Sequence, residues 1–374
     1  MTKKFNKLKG FARYVQTEQS LITELELHKN NLYDHESNNS RSKKYEESKV
    51  MFFEKPGAVC LYSILQVQDL YSNARRIFGD DRERIAKEIL ANLATKSNRR
   101  NLAGSPSVES IRQLKTDFPN FYEAIEQIEF AAALSNLSNK SWFQMPPLLL
   151  LGPAGVGKTA FAQEFANILG IYFKRIDAGM ATTGSVLSGL SLGWGSGHTG
   201  DIFKSISESE VANPLLMLDE IDKIGRQSSY PIEPTLLALL EKESAGDFKD
   251  EAIQLHLNCK HFLWIATAND EHLISEPLKS RFTIVNIRRP NREETKPIVH
   301  SIYRKIKANN PWGSAFKNEL DNTVADELLD FSPRELTRIM STAFGKAAVR
   351  GGREVKLSDF LLPNKVATRQ IGFV

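Results

Sequence analysis

The chain carries the run Gly152-Pro153-Ala154-Gly155-Val156-Gly157-Lys158-Thr159. This run matches the phosphate-binding pattern G-x-x-x-x-G-K-[ST] at every fixed position. Before it, four leucines at 148–151 predict a buried strand. After it, residues 160–169 have helical periodicity and stop at Gly170, a residue type common just past helix ends. A strand, a glycine loop and a helix in this order direct backbone N–H groups and the positive end of the helix dipole at a polyphosphate.

The run therefore predicts that Gly152 through Ala160 bind a nucleoside triphosphate, rather than forming an accidental glycine turn. In this pattern, Lys158 reaches the β- and γ-phosphates. The hydroxyl of Thr159 ligates Mg²⁺. The predicted cofactors are thus ATP and Mg²⁺.

A second predicted strand, Leu215–Leu218, is followed directly by the acids Asp219 and Glu220. We expect Asp219 to hold Mg²⁺, usually through water, and Glu220 to polarise the attacking water. Two acids at a buried strand end need compensation, which a metal ion or a bound water provides. The alternative for these acids is a solvated turn after a core strand.

A third predicted strand, Phe262–Ala266, leads to Asn269. Its amide both donates and accepts, so Asn269 can contact the γ-phosphate and the lytic water together. An Asx turn that starts the next loop explains the same residue equally well.

The composition indicates an ordinary soluble globular protein. Of its 374 residues, 41% are hydrophobic and 25% are charged, enough chain for two or three domains. The net charge of +4 neither requires nor excludes a nucleic acid partner. Cys60 and Cys259 have no zinc or disulfide spacing. With no signal peptide and no spanning segment in the sequence, we expect a cytoplasmic protein without a membrane partner.

Four segments are predicted. They are a polar, partly disordered segment at 1–57, a helical N-terminal region at 58–140, a nucleotide-binding α/β domain at 141–289 and a helical C-terminal domain at 290–374. The α/β domain is predicted to contain five strands of an open parallel sheet: Leu148–Leu151, Tyr172–Ile176, Leu215–Leu218, Phe262–Ala266 and Thr283–Ile287.

Taken in order, the glycine loop and the strings LLMLDEID, IATAND, PLKSRF and SPREL resemble the AAA+ ATPases, and specifically the ATPase module of the Lon proteases. The resemblance covers roughly Pro147 to Leu362, and its motifs are specific as a set. It implies a P-loop NTPase sheet as the AAA+ large domain, with the C-terminal helices as a lid.

The resemblance also implies roles for three further residues. Arg281 stands where such proteins carry an arginine finger that reaches the γ-phosphate of a neighbouring subunit. Arg334 stands at the sensor-2 position, where a lid arginine contacts phosphate in cis. Trp194, between glycines, stands where Lon-like modules place an aromatic pore loop. The alternatives are a surface salt bridge for Arg281, a helix-start charge for Arg334 and a packing role for Trp194.

The leading hypothesis is a ring-forming ATPase, a homo-oligomer and commonly a hexamer in this family, that remodels or unfolds a protein client. A Lon-type proteolytic domain has no counterpart before Val374, so we expect no intrinsic peptidase and allow for a separate one. The second hypothesis is a nucleic-acid-linked motor or loader, since Lys3, Lys4, Lys7, Lys9, Arg13, Arg99 and Arg100 are basic. A nucleotide-dependent scaffold without turnover is disfavoured by Glu220.

Overall fold

The computed structural model describes residues 58–137, 142–181, 183–224 and 231–361. The predicted polar segment at 1–57 lies outside these ranges. Two compact units divide the chain. The first, here called the sheet unit, comprises the described residues within Met1–Pro106, Ile128–Leu149 and Phe165–Ile284. The second, here called the lid unit, comprises those within Ser107–Gln127, Leu150–Glu164 and Val285–Val374.

The N-terminal part of the sheet unit is helical, as predicted, but it also contains two short strands. Strand β1 (Ala58–Cys60) pairs antiparallel with β2 (Arg99–Asn101). Three-residue strands are too short for their alternation to show in a sequence. Between them lie helices α1 (Ile64–Ser72), α2 (Ala74–Phe78) and α3 (Asp80–Leu93).

The later part of the predicted helical region, from Val108 to Leu137, contains two helices. Helix α4 (Val108–Asp117) ends before a 3₁₀ turn at Pro119–Phe121, and α5 (Tyr122–Leu137) follows it. Pro119 interrupts the helical hydrogen bonding because proline has no N–H to donate.

A five-stranded sheet has the order β4-β5-β8-β3-β9. Its strands are β3 (Leu148–Leu151), β4 (Phe173–Asp177), β5 (Leu215–Asp219), β8 (Leu263–Ala268) and β9 (Thr283–Asn286). Each lies within two residues of its predicted position. Strands β5 and β8 are buried at every residue, as their continuous apolar sequences require. The predicted parallel α/β fold is confirmed.

Parallel pairing aligns the strand ends on which the acids and the amide stand. Strand β4 pairs with β5 so that Asp177 is opposite Asp219. Strand β5 pairs with β8 so that Leu218 is opposite Ala266. The chain after both strands therefore leaves the same edge of the sheet.

Shorter elements connect these strands. Strands β6 (Phe248–Asp250) and β7 (Leu255–Leu257) form an antiparallel hairpin that the sequence did not predict. The helices are α6 (Lys158–Leu169), α7 (Ser185–Ser188), α8 (Asp201–Glu208), α9 (Glu233–Leu240), α10 (Lys242–Ala245) and α11 (Glu276–Lys279). Helix α6 ends at the predicted residue, and Gly170 after it has φ +64°.

The C-terminal part of the lid unit is helical, as predicted. It contains α12 (Arg292–Ala308), α13 (Asn322–Asp326) and α14 (Pro333–Val349). Reciprocal side-chain caps begin α12, with Asn291 and Glu294, and α14, with Ser332 and Glu335. Tyr303 of α12 stacks on Phe344 of α14 with ring centroids 4.9 Å apart, inside one apolar core.

Candidate functional site

The phosphate loop is shaped by close backbone packing inside the lid unit. The N–H of Ile287 donates to the carbonyl of Leu151 at 2.7 Å. A Cβ added at Gly152 would lie 2.0 Å from the Ile287 carbonyl oxygen, so only glycine fits there. Gly157 has φ +106°, a conformation that other residues rarely adopt. The two glycines therefore fix the path of the loop.

The predicted phosphate-binding groups stand at the end of this loop. Helix α6 makes its first hydrogen bond from the N–H of Phe161 to the carbonyl of Gly157, at 2.9 Å. The N–H groups just before Phe161 are thus those that a helix N-terminus offers to an anion. Lys158 is buried, and its ammonium donates to the carbonyls of Gly152 and Pro153, the latter at 3.3 Å. The positive charge therefore lies over the loop.

The structure brings Arg334 to the phosphate loop. The N–H of Arg334 donates to the carbonyl of Gly155 at 3.3 Å. A Cβ at Gly155 would lie 3.5 Å from Cβ of Arg334. Because Ser332 and Glu335 cap the start of α14, the position of Arg334 is fixed by the helix as well as by the loop. The side chain is exposed, and its contact with a phosphate stays a prediction.

Sequence reasoning missed an aromatic layer beneath the loop. Phe121 stacks on Phe161 of α6 at 4.6 Å, and Phe118 meets the same ring edge-on at 5.5 Å. Lys305 of α12 lies 4.5 Å above the Phe118 ring and pairs with Glu164 of α6 at 3.0 Å. These contacts join the 3₁₀ turn, the loop helix and the lid helix. Only their spatial packing shows this, because the phenylalanines have no motif spacing.

The acidic residues lie in the sheet unit, where Thr267 connects them. The hydroxyl of Thr267 donates to Oδ1 of Asp219 and accepts from the N–H of Glu220 at 3.0 Å. The backbone of Glu220 lies in the left-handed helical region, with φ 57° and ψ 51°. A non-glycine residue in this conformation costs roughly 1–3 kcal/mol, and such strain concentrates at functional sites. The turn that carries Glu220 is therefore held by neighbouring groups.

Both acidic side chains also have cationic partners. Nη2 of Arg175, on β4, lies 2.7 Å from Oδ2 of Asp219. Nζ of Lys223 lies 2.7 Å from Oε2 of Glu220, and this hydrogen bond raises the pKa of Lys223. Asp219 is buried, whereas Glu220 is half-exposed. The sequence did not assign a role to either cation.

Asp222 links residues 219–222, here called the acidic turn, to Asn269. Its Oδ2 accepts from the N–H of Asn269 at 3.0 Å and from that of Asp270 at 3.2 Å. The side chain of Asp270 caps the next turn by accepting from the N–H of His272 at 2.9 Å. Asp270 thus forms an Asx turn at the start of the next loop. Asn269 is exposed at the strand end, and its contact with phosphate and water stays a prediction.

Arg281 forms an ion pair within its own chain. Its Nη2 donates to Glu241, and its Nη1 donates to the hydroxyl of Ser280 at 3.1 Å. About a third of the side chain is exposed, at 35%. This contact is the salt bridge of the alternative interpretation. The role as an arginine finger stays a prediction.

Trp194 projects from a turn closed by backbone hydrogen bonds. Leu190 and His198 exchange bonds of 2.8 and 3.0 Å, and the N–H of Gly197 donates to the carbonyl of Trp194 at 2.9 Å. The indole is 68% exposed, while Leu192 beside it is buried. Trp194 is therefore not a core residue.

A buried carboxylate anchors the end of this loop. Oδ2 of Asp250 accepts from the N–H of Gly200 at 2.9 Å, and Oδ1 accepts from the N–H groups of Ala252 and Ile253 at 3.0 Å. Burial outweighs these bonds and raises the pKa of Asp250 to about 6.

The predicted metal ligands suit Mg²⁺ chemically. Thr159 and Asp219 offer hard oxygen donors, and Mg²⁺ is usually bound by one or two carboxylates together with substrate phosphates. Among the described residues, no cluster of three or more His, Cys, Asp or Glu could hold a metal by itself. This donor set fits a metal that arrives with a nucleotide.

Arg100 does not offer a surface for nucleic acid. It is buried, and its guanidinium donates to the carbonyls of Ile206 and Ser209, the latter at 2.7 Å, at the C-terminal end of α8. Arg99 is exposed. The basic residues between Lys3 and Arg13 lie outside the described residues. Within the described ranges, no helix has the length and apolar character to cross a membrane.

Comparison with known proteins identifies the family that the α/β domain matches. Residues 148–289 match the ATPase family associated with various cellular activities (AAA). The Lon protease of Koribacter versatilis is 30% identical over 205 residues, which is 55% of this chain and 24% of that protein. The Lon protease of Mycoplasma mobile is 30% identical over 244 residues, 63% of this chain and 29% of that protein.

The chain therefore contains an AAA ATPase domain and is distantly related to the Lon proteases. It spans less than a third of the length of these relatives. Among solved structures, the RuvB Holliday junction branch migration motor of Thermotoga maritima is 16% identical and covers 68% of this chain and 67% of its own, with a TM-score of 0.37. The fold assignment rests on the sheet order and the family match.

Proposed function

We propose that this protein hydrolyses ATP·Mg²⁺ as a ring of identical subunits and uses the energy to remodel a protein client. One observation carries the ATPase part. A complete phosphate loop and a strand ending in Asp219 and Glu220 both lie inside the residues that match the AAA family. Lys158 and Arg334 supply positive charge in the lid unit. Glu220 and Asn269 supply the groups for water in the sheet unit.

Hydrolysis requires a water to attack the γ-phosphorus. The new bond joins the water oxygen to phosphorus, the β–γ bridging bond breaks, and the proton of the water passes to Glu220. Bound Mg²⁺, held by Thr159 and Asp219, would neutralise phosphate charge. Asn269 would orient the water, with Asp222 fixing its backbone. Glu220 contacts Lys223 through Oε2 in this structure, and we propose that this contact loosens when Glu220 acts as a base.

The proposal that the subunits form a ring depends on Arg281. We propose that its guanidinium leaves Glu241 and reaches the γ-phosphate bound by the adjacent subunit, because a forked donor suits phosphate oxygens. Mixing Arg281→Ala subunits with Glu220→Gln subunits tests this. Each parent should be inactive, and a mixture should regain part of the activity at the interfaces that combine intact residues. If rings shown to contain both variants regain no ATPase activity, the proposed site shared between subunits is wrong.

The client assignment rests on Trp194. A large ring that is 68% exposed in a glycine-rich turn can grip an extended polypeptide without reading its sequence. The similarity to part of the Lon proteases also supports a protein client. A separate peptidase is a further proposed partner.

The experiment measures ATP turnover with unfolded protein, single-stranded DNA or double-stranded DNA added. We expect unfolded protein to raise turnover and DNA to have no effect. Trp194→Ala should abolish the stimulation, whereas Met180→Ala, which trims another exposed apolar side chain of the sheet unit, should keep it. Stimulation by DNA alone would instead favour the nucleic-acid-linked motor.

A further inference from the structure

The carboxylate of Asp219 already has a partner for each oxygen within the chain. Thr267 donates to Oδ1, and the guanidinium of Arg175 lies 2.7 Å from Oδ2. The side chain of Asp219 is only 9% exposed. A buried carboxylate without a partner is costly, so these contacts compensate for the burial of Asp219.

Only one of the two partners can leave without disturbing the core. Thr267 is buried on the central strand β8, and its hydroxyl also holds the N–H of Glu220. The side chain of Arg175 is 53% exposed, so it can turn into solvent with its charge hydrated. Arg175 is therefore the replaceable partner of Asp219.

A magnesium ion and the guanidinium compete for the same oxygen. Mg²⁺ binds a carboxylate oxygen directly or through one of its waters, and it carries two positive charges that repel a nearby guanidinium. We propose that Arg175 is an internal counter-cation that Mg²⁺ displaces from Asp219, and that this exchange sets the magnesium concentration needed for nucleotide binding. This rests on the proposed function, in which Asp219 holds the metal.

The test is the magnesium dependence of nucleotide binding, measured with a fluorescent ATP analogue in a Glu220→Gln parent that does not hydrolyse it. Arg175→Gln removes the charge and keeps most of the length of the side chain. We expect the half-saturating Mg²⁺ concentration to fall about threefold to tenfold, the effect of losing one partly exposed ion pair. Arg175→Lys keeps the charge but loses the forked pair of donors. Its half-saturating Mg²⁺ concentration should lie between those of the parent and of Arg175→Gln.

Lys174→Gln is the matched control. It removes the same charge from the neighbouring residue of β4, where Nζ lies 3.5 Å from Asp201 rather than near Asp219. Its midpoint should stay at the parent value. A midpoint for Arg175→Gln that equals or exceeds that of Lys174→Gln would overturn the proposal. Binding that needs no Mg²⁺ in the parent would instead overturn the proposed function.

A second measurement, the thermal midpoint of unfolding, tests the proposal even if Arg175→Gln is less stable than the parent. The thermal midpoint of Arg175→Gln without Mg²⁺ should lie below that of the parent, because Asp219 has lost its counter-charge. Mg²⁺ with nucleotide should then raise it more than it raises the parent. Equal increases in both proteins would contradict displacement.

Discussion

The phosphate loop and the acidic turn are built in opposite ways. The loop is a continuous run whose binding groups are largely backbone N–H groups and one lysine, held in shape by Gly152 and Gly157. The acidic turn collects side chains from three strand ends, and each carboxylate has a partner inside the chain. Those partners are Arg175, Thr267, Lys223 and the backbone of Asn269.

This difference separates binding from turnover. The loop presents backbone N–H groups and the charge of Lys158, which would exchange the carbonyls of Gly152 and Pro153 for a phosphate. In the acidic turn, we propose that a metal displaces Arg175 from Asp219 and that the Lys223 contact of Glu220 loosens as water binds. Variants in the loop should therefore act on nucleotide affinity, and variants of Glu220 and Asp222 in the acidic turn should act on the rate.

The largest effect is expected in the acidic turn. Glu220→Gln keeps the shape but removes the proton acceptor, so we expect turnover to fall about 10²- to 10⁴-fold while nucleotide binding persists. Steady-state turnover and equilibrium binding of a labelled nucleotide check this. Undiminished turnover would remove Glu220 as the base.

The converse test lies in the loop. Lys158→Ala removes a charge that lies over the carbonyls of Gly152 and Pro153, and we expect nucleotide affinity to weaken on the order of 100-fold because charged contacts to phosphate are lost. Calorimetric titration measures it. If affinity held and only the rate fell, the division between the two regions would be wrong.

A smaller effect should separate positioning from contact within the acidic turn. Asp222→Asn weakens the hold on the N–H groups of Asn269 and Asp270, and we expect kcat to fall roughly tenfold, as when an orienting partner is lost. Nucleotide affinity should stay the same. Asp247→Asn, on an exposed carboxylate paired with His256, is the control and should match wild type. An affinity loss equal to the rate loss would indicate general unfolding.

The two units should also differ in their response to pH. Burial raises the pKa of Asp250 in the sheet unit to about 6, so the folded state holds a proton there that the unfolded state releases near pH 4. This contribution to stability is fully present below about pH 4 and is lost as pH rises through about 6, by up to about 3 kcal/mol. In the lid unit, Arg288 lowers the pKa of Glu294. That pair stabilises above the ordinary pKa of glutamate and loses its effect as pH falls below it.

Thermal unfolding of wild type and Asp250→Asn across pH 4 to 7 tests the sheet-unit contribution. The variant should lack the decline in midpoint between pH 4 and 6, whatever its absolute stability. Glu251→Gln, at the exposed neighbouring acid, should keep that decline. Parallel curves for all three proteins would show that Asp250 does not titrate in this range.

Local sequence predicted most of the sheet. Strand β3 has its predicted bounds, and helix α6 ends at Gly170 as expected, because apolar runs and glycine punctuation are short-range signals. The hairpin of β6 and β7 and the pair of β1 and β2 were missed. Their strands have three residues each, which is less than a readable period.

The sequence by itself determined a strand, glycine loop and helix in succession, a strand ending in acids and the helical character of the lid, since each is encoded in consecutive residues whose spacing sets their local geometry. Only the tertiary structure placed Arg334 on the loop, Arg175 and Thr267 on Asp219, and Asp222 on the backbone of Asn269. Those contacts join residues about 40 to 180 positions apart. They depend on strand register and helix packing, which no short stretch of the chain encodes.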